Sequence, residues 1–317
     1  MRFFDADAIT AAVPIAELLD AVEAAYRDVA TGHDRSPVRN RVALPGGDLL
    51  LMPGVREGGA GSSVKLVTVM PDNPRRGLPT IQAVVVWFDS QTGEPLAVLE
   101  GRTVTAMRTG AASGVSARLM AREDASTLAL LGVGAQAAWQ VRAVLAARPI
   151  RELRVFARTT TSRDAFASAM ADELGEDVRV RACASAEEAV RGADIICSAT
   201  TSAEPVFDAA WISPGAHVSG IGAYRLDMRE LPAELFARAS LVAVDSREAA
   251  LEEAGDLVAA VGAGLLAPDG YVEIGSLPAD WAQRRDPDAI TVFKSVGLAI
   301  QDVAAAEVAA RRLLAAG

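Results

Sequence analysis

The stretch "STLALLGVGAQAAWQVRAVLAARP", Ser126 to Pro149, constrains this chain more than any other. A short apolar run breaks at Gly132. Val141, Val144 and Leu145 then recur on one helical face until Pro149 stops the pattern. Strand, glycine turn and helix follow in that order. The turn reads G-x-G-x-x-A. Gly132 permits a tight bend, and Gly134 lets a pyrophosphate approach the backbone. Ala137 lets helix and strand pack closely, while the amino end of the helix favours negative charge. Such a pattern is common by chance, and alone it is also consistent with a structural turn. Between a buried strand and an amphipathic helix, it has the context a dinucleotide site requires.

The chain continues in kind. "LRVFAR", "VRVRACA", "DIICSAT", "HVSGIG" and "LVAVDS" are apolar runs separated by helical or loop segments. "SAEEAVRG" carries a capping box, Ser185 with Glu188. Strands alternating with helices imply a parallel sheet covered on both faces. An NAD site commonly places an acid at the end of the second strand, roughly 20 residues after the glycines. Here that tip is Ala157-Arg158-Thr159, with Arg163 beyond it. Guanidinium and hydroxyl groups suit a 2′-phosphate, which Arg can grip with two hydrogen bonds. NADPH is therefore the expected cofactor, with NADH possible; two ordinary surface arginines are the alternative.

The earlier part reads differently. Pro14–Thr31 has helical spacing, and "DLLLMPG", "SVKLVTVM", "QAVVVWFD" and "PLAVLEG" read as strands. Ser90-Gln91-Thr92-Gly93 reads as a hairpin loop, and Thr103–Arg122 as a helix. The closing "FKSVGLAIQDVAAAEVAARRLLAAG" reads as one amphipathic helix. An α+β portion thus precedes an open α/β portion. Two cations stand out. Lys65 lies in an otherwise uncharged strand, where an unpaired ammonium would cost several kcal/mol. Arg108 lies in a helix with no acid within four residues. A cation without a local partner is a candidate for an anionic ligand; a solvated or distantly paired charge is the alternative.

Composition excludes other classes. The net charge of −10 argues against a nucleic-acid partner, because phosphate contacts need clustered Lys and Arg. No segment looks like a membrane span or a signal peptide, so a cytoplasmic location is expected. Cys183 and Cys197 stand outside any CxxC spacing and read as buried thiols. His33 and His217 form no paired-histidine motif, so no metal site is expected.

Taken together, "PVRNRVALP", "SSVKLVTVMPDN", "RTVTAMRTGAASGVSARLMA", "LLGVGAQA", "GADIICSATTSAEPVF", "WISPGAHVSGIGAYRLDMREL", "VDSREAALEEAGD" and "TVFKSVGLAIQD" resemble the ornithine cyclodeaminase and mu-crystallin family. The resemblance covers nearly the whole chain. It implies an α/β protein with a Rossmann doubly wound domain, residues 118–296. It also implies a discontinuous α+β domain for substrate binding and dimerisation, residues 1–117 and 297–317, and hence a homodimer. Arg41, Lys65 and Arg108 match the family's grip on a substrate carboxylate. Thr109, Gln136, Thr200 and Lys294 match its cofactor contacts. Finding the three cations scattered, or each already matched with a protein acid, would undo this enzymatic reading.

Two departures bear on the reaction. Where ornithine-specific members hold the distal amine with Glu, this chain has Met52. Where they use a catalytic Asp, alignment on "REL" gives Tyr224, with Asp227 out of register. The resemblance therefore implies a ketimine reductase, an NAD(P)H-dependent enzyme that reduces a small 2-imino acid. The substrate would be cyclic, such as Δ1-pyrroline-2-carboxylate or Δ1-piperideine-2-carboxylate. Lys65 is the first candidate proton donor and Tyr224 the second, with Met52 as an apolar wall. Alanine-type reductive amination, ornithine cyclodeamination and crystallin-like binding without turnover are the alternatives.

Overall fold

The apolar, β-branched runs of the first part pair into one sheet, with one of its faces covered by a helix. The computed structural model describes residues 1–315. It divides into two compact units, one running to Arg108 and resuming at Leu298, the other spanning Thr109–Gly297. The chain passes from one to the other inside the helix Gly101–Met120.

The first unit holds β1 (Arg2–Phe4), β2 (Asn40–Leu44), β3 (Gly47–Val55), β4 (Gly61–Val69), β5 (Ile81–Asp89) and β6 (Pro95–Glu100). They form one sheet in the order β1-β6-β5-β4-β3-β2, antiparallel except where β1 joins β6. The hairpin between β5 and β6 turns at Gly93, at φ 71°, and Asp89 accepts from the backbone of Gln91 and Thr92. The helix Ala299–Ala315 packs across β3, β4 and β5. It buries Leu50, Met52 and Val67 against Ala299. On the opposite sheet face Phe3, Val42, Leu66 and Val84 are exposed.

The second unit contains β7 (Thr127–Leu131), β8 (Glu152–Phe156), β9 (Arg179–Ala182), β10 (Ile195–Ser198), β11 (His217–Gly220), β12 (Leu241–Val244), β13 (Val272–Glu273) and β14 (Thr291–Lys294). All eight are parallel, in the order β13-β12-β14-β11-β10-β7-β8-β9. The order reverses between β7 and β10, the switch point where open α/β sheets bind ligands. Ser185 caps its helix by accepting from Glu188 N at 3.0 Å; the Glu188 carboxylate reaches back to Ala184 N.

One expectation is corrected here. "FK" does not open the last helix: Thr291–Lys294 is a strand between β11 and β12, and the helix begins at Ala299. Val292 and Phe293 are completely buried, and Gly297 at φ 83° separates strand from helix. Among the described residues no helix is long and apolar enough to cross a membrane.

Candidate functional site

In the first unit, β4 carries Lys65 directly opposite Met52 of β3 and Val85 of β5, on the covered face of the sheet. Asp302, on the covering helix, meets its ammonium at 2.7 Å. Arg108 donates through Nε to the other oxygen of Asp302 at 3.1 Å and through Nη1 to Gln301 Oε1 at 2.8 Å. Gln301 in turn donates to the buried Tyr26 hydroxyl. All four polar side chains are buried, Asp302 at 0% exposure.

The expectation that these cations lack an acid is thereby corrected. The partner of Arg108 lies 194 residues away in sequence, beyond any local window. Arg41 also has an acid, Asp48 at 2.7 Å, on an edge strand where the Arg41 side chain is 57% exposed. The condition set against an anion grip is therefore met: Arg41 has Asp48, and Lys65 and Arg108 both have Asp302. What remains for an anionic ligand is the imbalance at the second acid, where one carboxylate is divided between two positive charges. Arg108 Nη2 has no partner among the described residues, and the ammonium has donors beyond the one facing Asp302.

Burial pulls the Lys65 pKa down to about 7, with Asp302 opposing and the charges of Arg108 and Arg39 reinforcing the fall. Arg39, two residues before Arg41 in "PVRNRVALP", is thus the further cation acting on Lys65. Sequence reasoning did not single out Arg39, and it missed Asp302, although an acid amid the alanines of "AIQDVAAAEVAA" is as conspicuous as Lys65 in its strand.

The second unit builds a different site from its glycine turn. Gly132, straight after β7, sits at φ 97°, where a side chain would be strained. A Cβ on Gly134 would meet nothing within 4 Å, so the backbone there is open to a ligand. The helix Ala137–Ala147 starts behind it with no side chain capping its first N–H groups. Gln136 has a buried Oε1 without a partner among the described residues. The open glycine and the uncapped N–H groups are the features of an anion cradle at a helix amino terminus, and a dinucleotide pyrophosphate fits them; the Gln136 Oε1 can only accept a hydrogen bond and is no part of that cradle.

Arg158 and Thr159 follow β8, the neighbour of β7, and both are exposed. The Arg158 side chain has no hydrogen bond or ion pair among the described residues. Arg163 is not available in the same way. It donates to Cys183 O at 2.9 Å and pairs with Asp164 at 2.7 Å, so its role is corrected to a local clasp. Thr200 follows β10 and donates its N–H to Glu230 at 2.6 Å. Thr109 is buried at the start of this unit's share of its helix.

Lys294 is a second correction. It is completely buried on β14, donating to Ala223 O at 2.6 Å and pairing with Asp256 at 2.8 Å. An ammonium so enclosed is a structural ion, not an open cofactor contact. Tyr224 follows β11 and is half-buried, whereas Asp227 is exposed and held by Arg225 at 2.7 Å.

The chain matches the model of the ornithine cyclodeaminase/mu-crystallin family over residues 3–316. It belongs to that family. It is 43% identical to a Δ1-pyrroline-2-carboxylate reductase of Bacillus cereus, over 81% of this chain and 79% of that one. Its fold is similar to that of the Thermococcus litoralis Δ1-pyrroline-2-carboxylate reductase in complex with NADH and L-proline. There the TM-score is 0.92 at 33% identity, covering 100% of this chain and 98% of that one. It is also similar to an archaeal alanine dehydrogenase dimer with bound NAD, at a TM-score of 0.88 and 32% identity, covering 99% and 96%.

Proposed function

We infer that this family member reduces a small cyclic 2-imino acid, Δ1-pyrroline-2-carboxylate or its six-membered homologue, to the cyclic amino acid. The observation that carries the reading is the pair of buried cations sharing one carboxylate. A substrate carboxylate supplies the missing negative charge, with Arg108 Nη2 and the Lys65 ammonium as donors. Bringing that anion next to Lys65 raises its proton affinity, so substrate binding favours the ammonium form. The ammonium then gives a proton to the imine nitrogen; a donor with pKa near 7 is well matched to that task. The nicotinamide dinucleotide, when bound, supplies the hydride equivalent for the imine carbon. Gly134 and the uncapped N–H groups in the first turn of the helix Ala137–Ala147 would hold its pyrophosphate, with Gln136 beside them.

Met52 packs into the apolar cluster beneath Lys65 and so presents methylene, not charge, beside it. Asp227, the acid nearest in sequence to the position where ornithine-specific members use Asp, is exposed and tied to Arg225. Both facts favour a ring substrate over a diamine. The unpartnered Arg158 supports NADPH as the preferred cofactor, although the two similar structures contain NADH and NAD.

The test follows oxidation of NADPH and NADH with cyclic imino acids, and with keto acids plus ammonium. Cyclic imino acids are expected to turn over without ammonium; turnover only with keto acid and ammonium would assign reductive amination instead. In the same assay Arg158→Ala should raise KM for NADPH about tenfold or more and leave NADH nearly unchanged. An equal effect on both cofactors would remove the 2′-phosphate contact.

The protein acts as a homodimer through the uncovered face of the six-stranded sheet. Phe3, Leu66 and Val84 lie on that face, with Leu51 opposite Leu66, and one similar structure is a dimer. Sedimentation velocity should show a dimer that the double substitution Leu66→Glu, Val84→Glu converts to monomer; a wild-type monomer would refute it.

A further inference from the structure

Glu230 is completely buried in the second unit, and its carboxylate accepts four hydrogen bonds. Oε1 takes Ser198 Oγ at 2.7 Å and Thr200 N at 2.6 Å. Oε2 takes Gly222 N at 2.5 Å and Ala223 N at 2.8 Å. Each oxygen therefore holds a different segment: one at the carboxyl end of β10, the other at that of β11. Glu230 is itself fixed, because Asp256 Oδ1 accepts from the N–H of Glu230 at 2.5 Å and of Leu231 at 3.0 Å. Lys294 closes the arrangement between Asp256 and Ala223 O. The two held segments touch backbone to backbone: a Cβ on Gly222 would lie 2.0 Å from Thr200 O.

The sheet topology says what these segments are for. A doubly wound sheet binds one nucleotide on each half, across the switch point. The glycine turn and Arg158 occupy the β7-β8-β9 half, which takes the adenosine end. The nicotinamide end is left to the carboxyl ends of β10 and β11, the two that Glu230 ties together. Tyr224 comes directly after Ala223. We propose that Glu230 is a positioning residue, one that sets the nicotinamide-side loops of the second unit and the Tyr224 that follows them. This rests on the reductase reading above.

The test is Glu230→Gln, which keeps the shape but turns one acceptor into a donor facing N–H donors. ADP-ribose, which has no nicotinamide, should bind as in the wild type. The fluorescence enhancement of bound NADPH should fall, and kcat should drop about 100-fold per folded molecule, the scale of a small misplacement at the reacting centre. The isotope effect from 4-deuterated NADPH should rise as the hydride step becomes limiting. KM for the imino acid should change little. Unchanged fluorescence and isotope effect, with only a lower melting temperature, would overturn the proposal and leave Glu230 a purely structural group. If the glutamine variant does not fold, Ser198→Ala removes one of the four donors and should shift the NADPH fluorescence in the same sense; no shift overturns it. A wild-type protein that binds NADPH but reduces no imine refutes the reductase reading instead, and the fluorescence comparison still decides for or against Glu230.

Discussion

Lys65→Met should lower kcat/KM for cyclic imine reduction by about 10³-fold while the Kd for NADPH stays where it was. Methionine preserves the volume of the side chain on β4 and removes only the charge. Asp302 keeps its hydrogen bond from Arg108 on one oxygen and loses its partner on the other, so the rate is compared per folded molecule. The loss read in that way is chemical. It combines the proton donor, worth about 10²–10⁴ in rate, with one arm of the carboxylate grip. The pH profile gives a second check. Reduction needs the ammonium form, and burial sets its pKa at about 7, so kcat/KM should decline as pH rises through that value. Lys65→Arg keeps the positive charge and should abolish this decline. Full turnover in the methionine variant, or an unaltered profile in the arginine variant, would take Lys65 out of the reaction.

Asp302→Asn should cost about 3–5 kcal/mol of stability, the range for removing one partner of a buried ion pair. The effect is large because two cations, not one, depend on this carboxylate, and both are buried. The asparagine also removes the influence that holds the Lys65 pKa up, so the decline in kcat/KM should move to lower pH. Denaturant unfolding and the pH profile measure the two consequences independently. A variant as stable as the wild type would mean that the cations find another anion.

The alternation of strands and helices, the glycine turn between strand and helix and the place of Arg158 just after the second strand were all legible in the sequence. Each rests on residues near one another in the chain. What escaped was long-range pairing. Nothing around Lys65 or Arg108 announces Asp302, because its helix lies beyond the whole of the second unit. Arg39 and Arg41 share one motif, and only the fold brings the charge of Arg39 to bear on Lys65. "FKSVGLAIQD" misled because its apolar spacing suits a helix, while the buried β-branched and aromatic residues at Val292 and Phe293 belong to a central strand. Lys294 misled because a lysine completely enclosed by Asp256 and a carbonyl cannot be told from an exposed one by sequence.

The helix Ala299–Ala315 has one more consequence, for the order in which the molecule can be completed. A ribosome makes β1 to β6 first and the helix that covers them only after the whole second unit. Throughout synthesis of that unit, one face of the sheet has no lid and Lys65 has no counter-ion. The amino-terminal third of the protein thus finishes folding only once this helix has emerged, and the nascent chain passes through a long interval with an apolar surface open to other molecules.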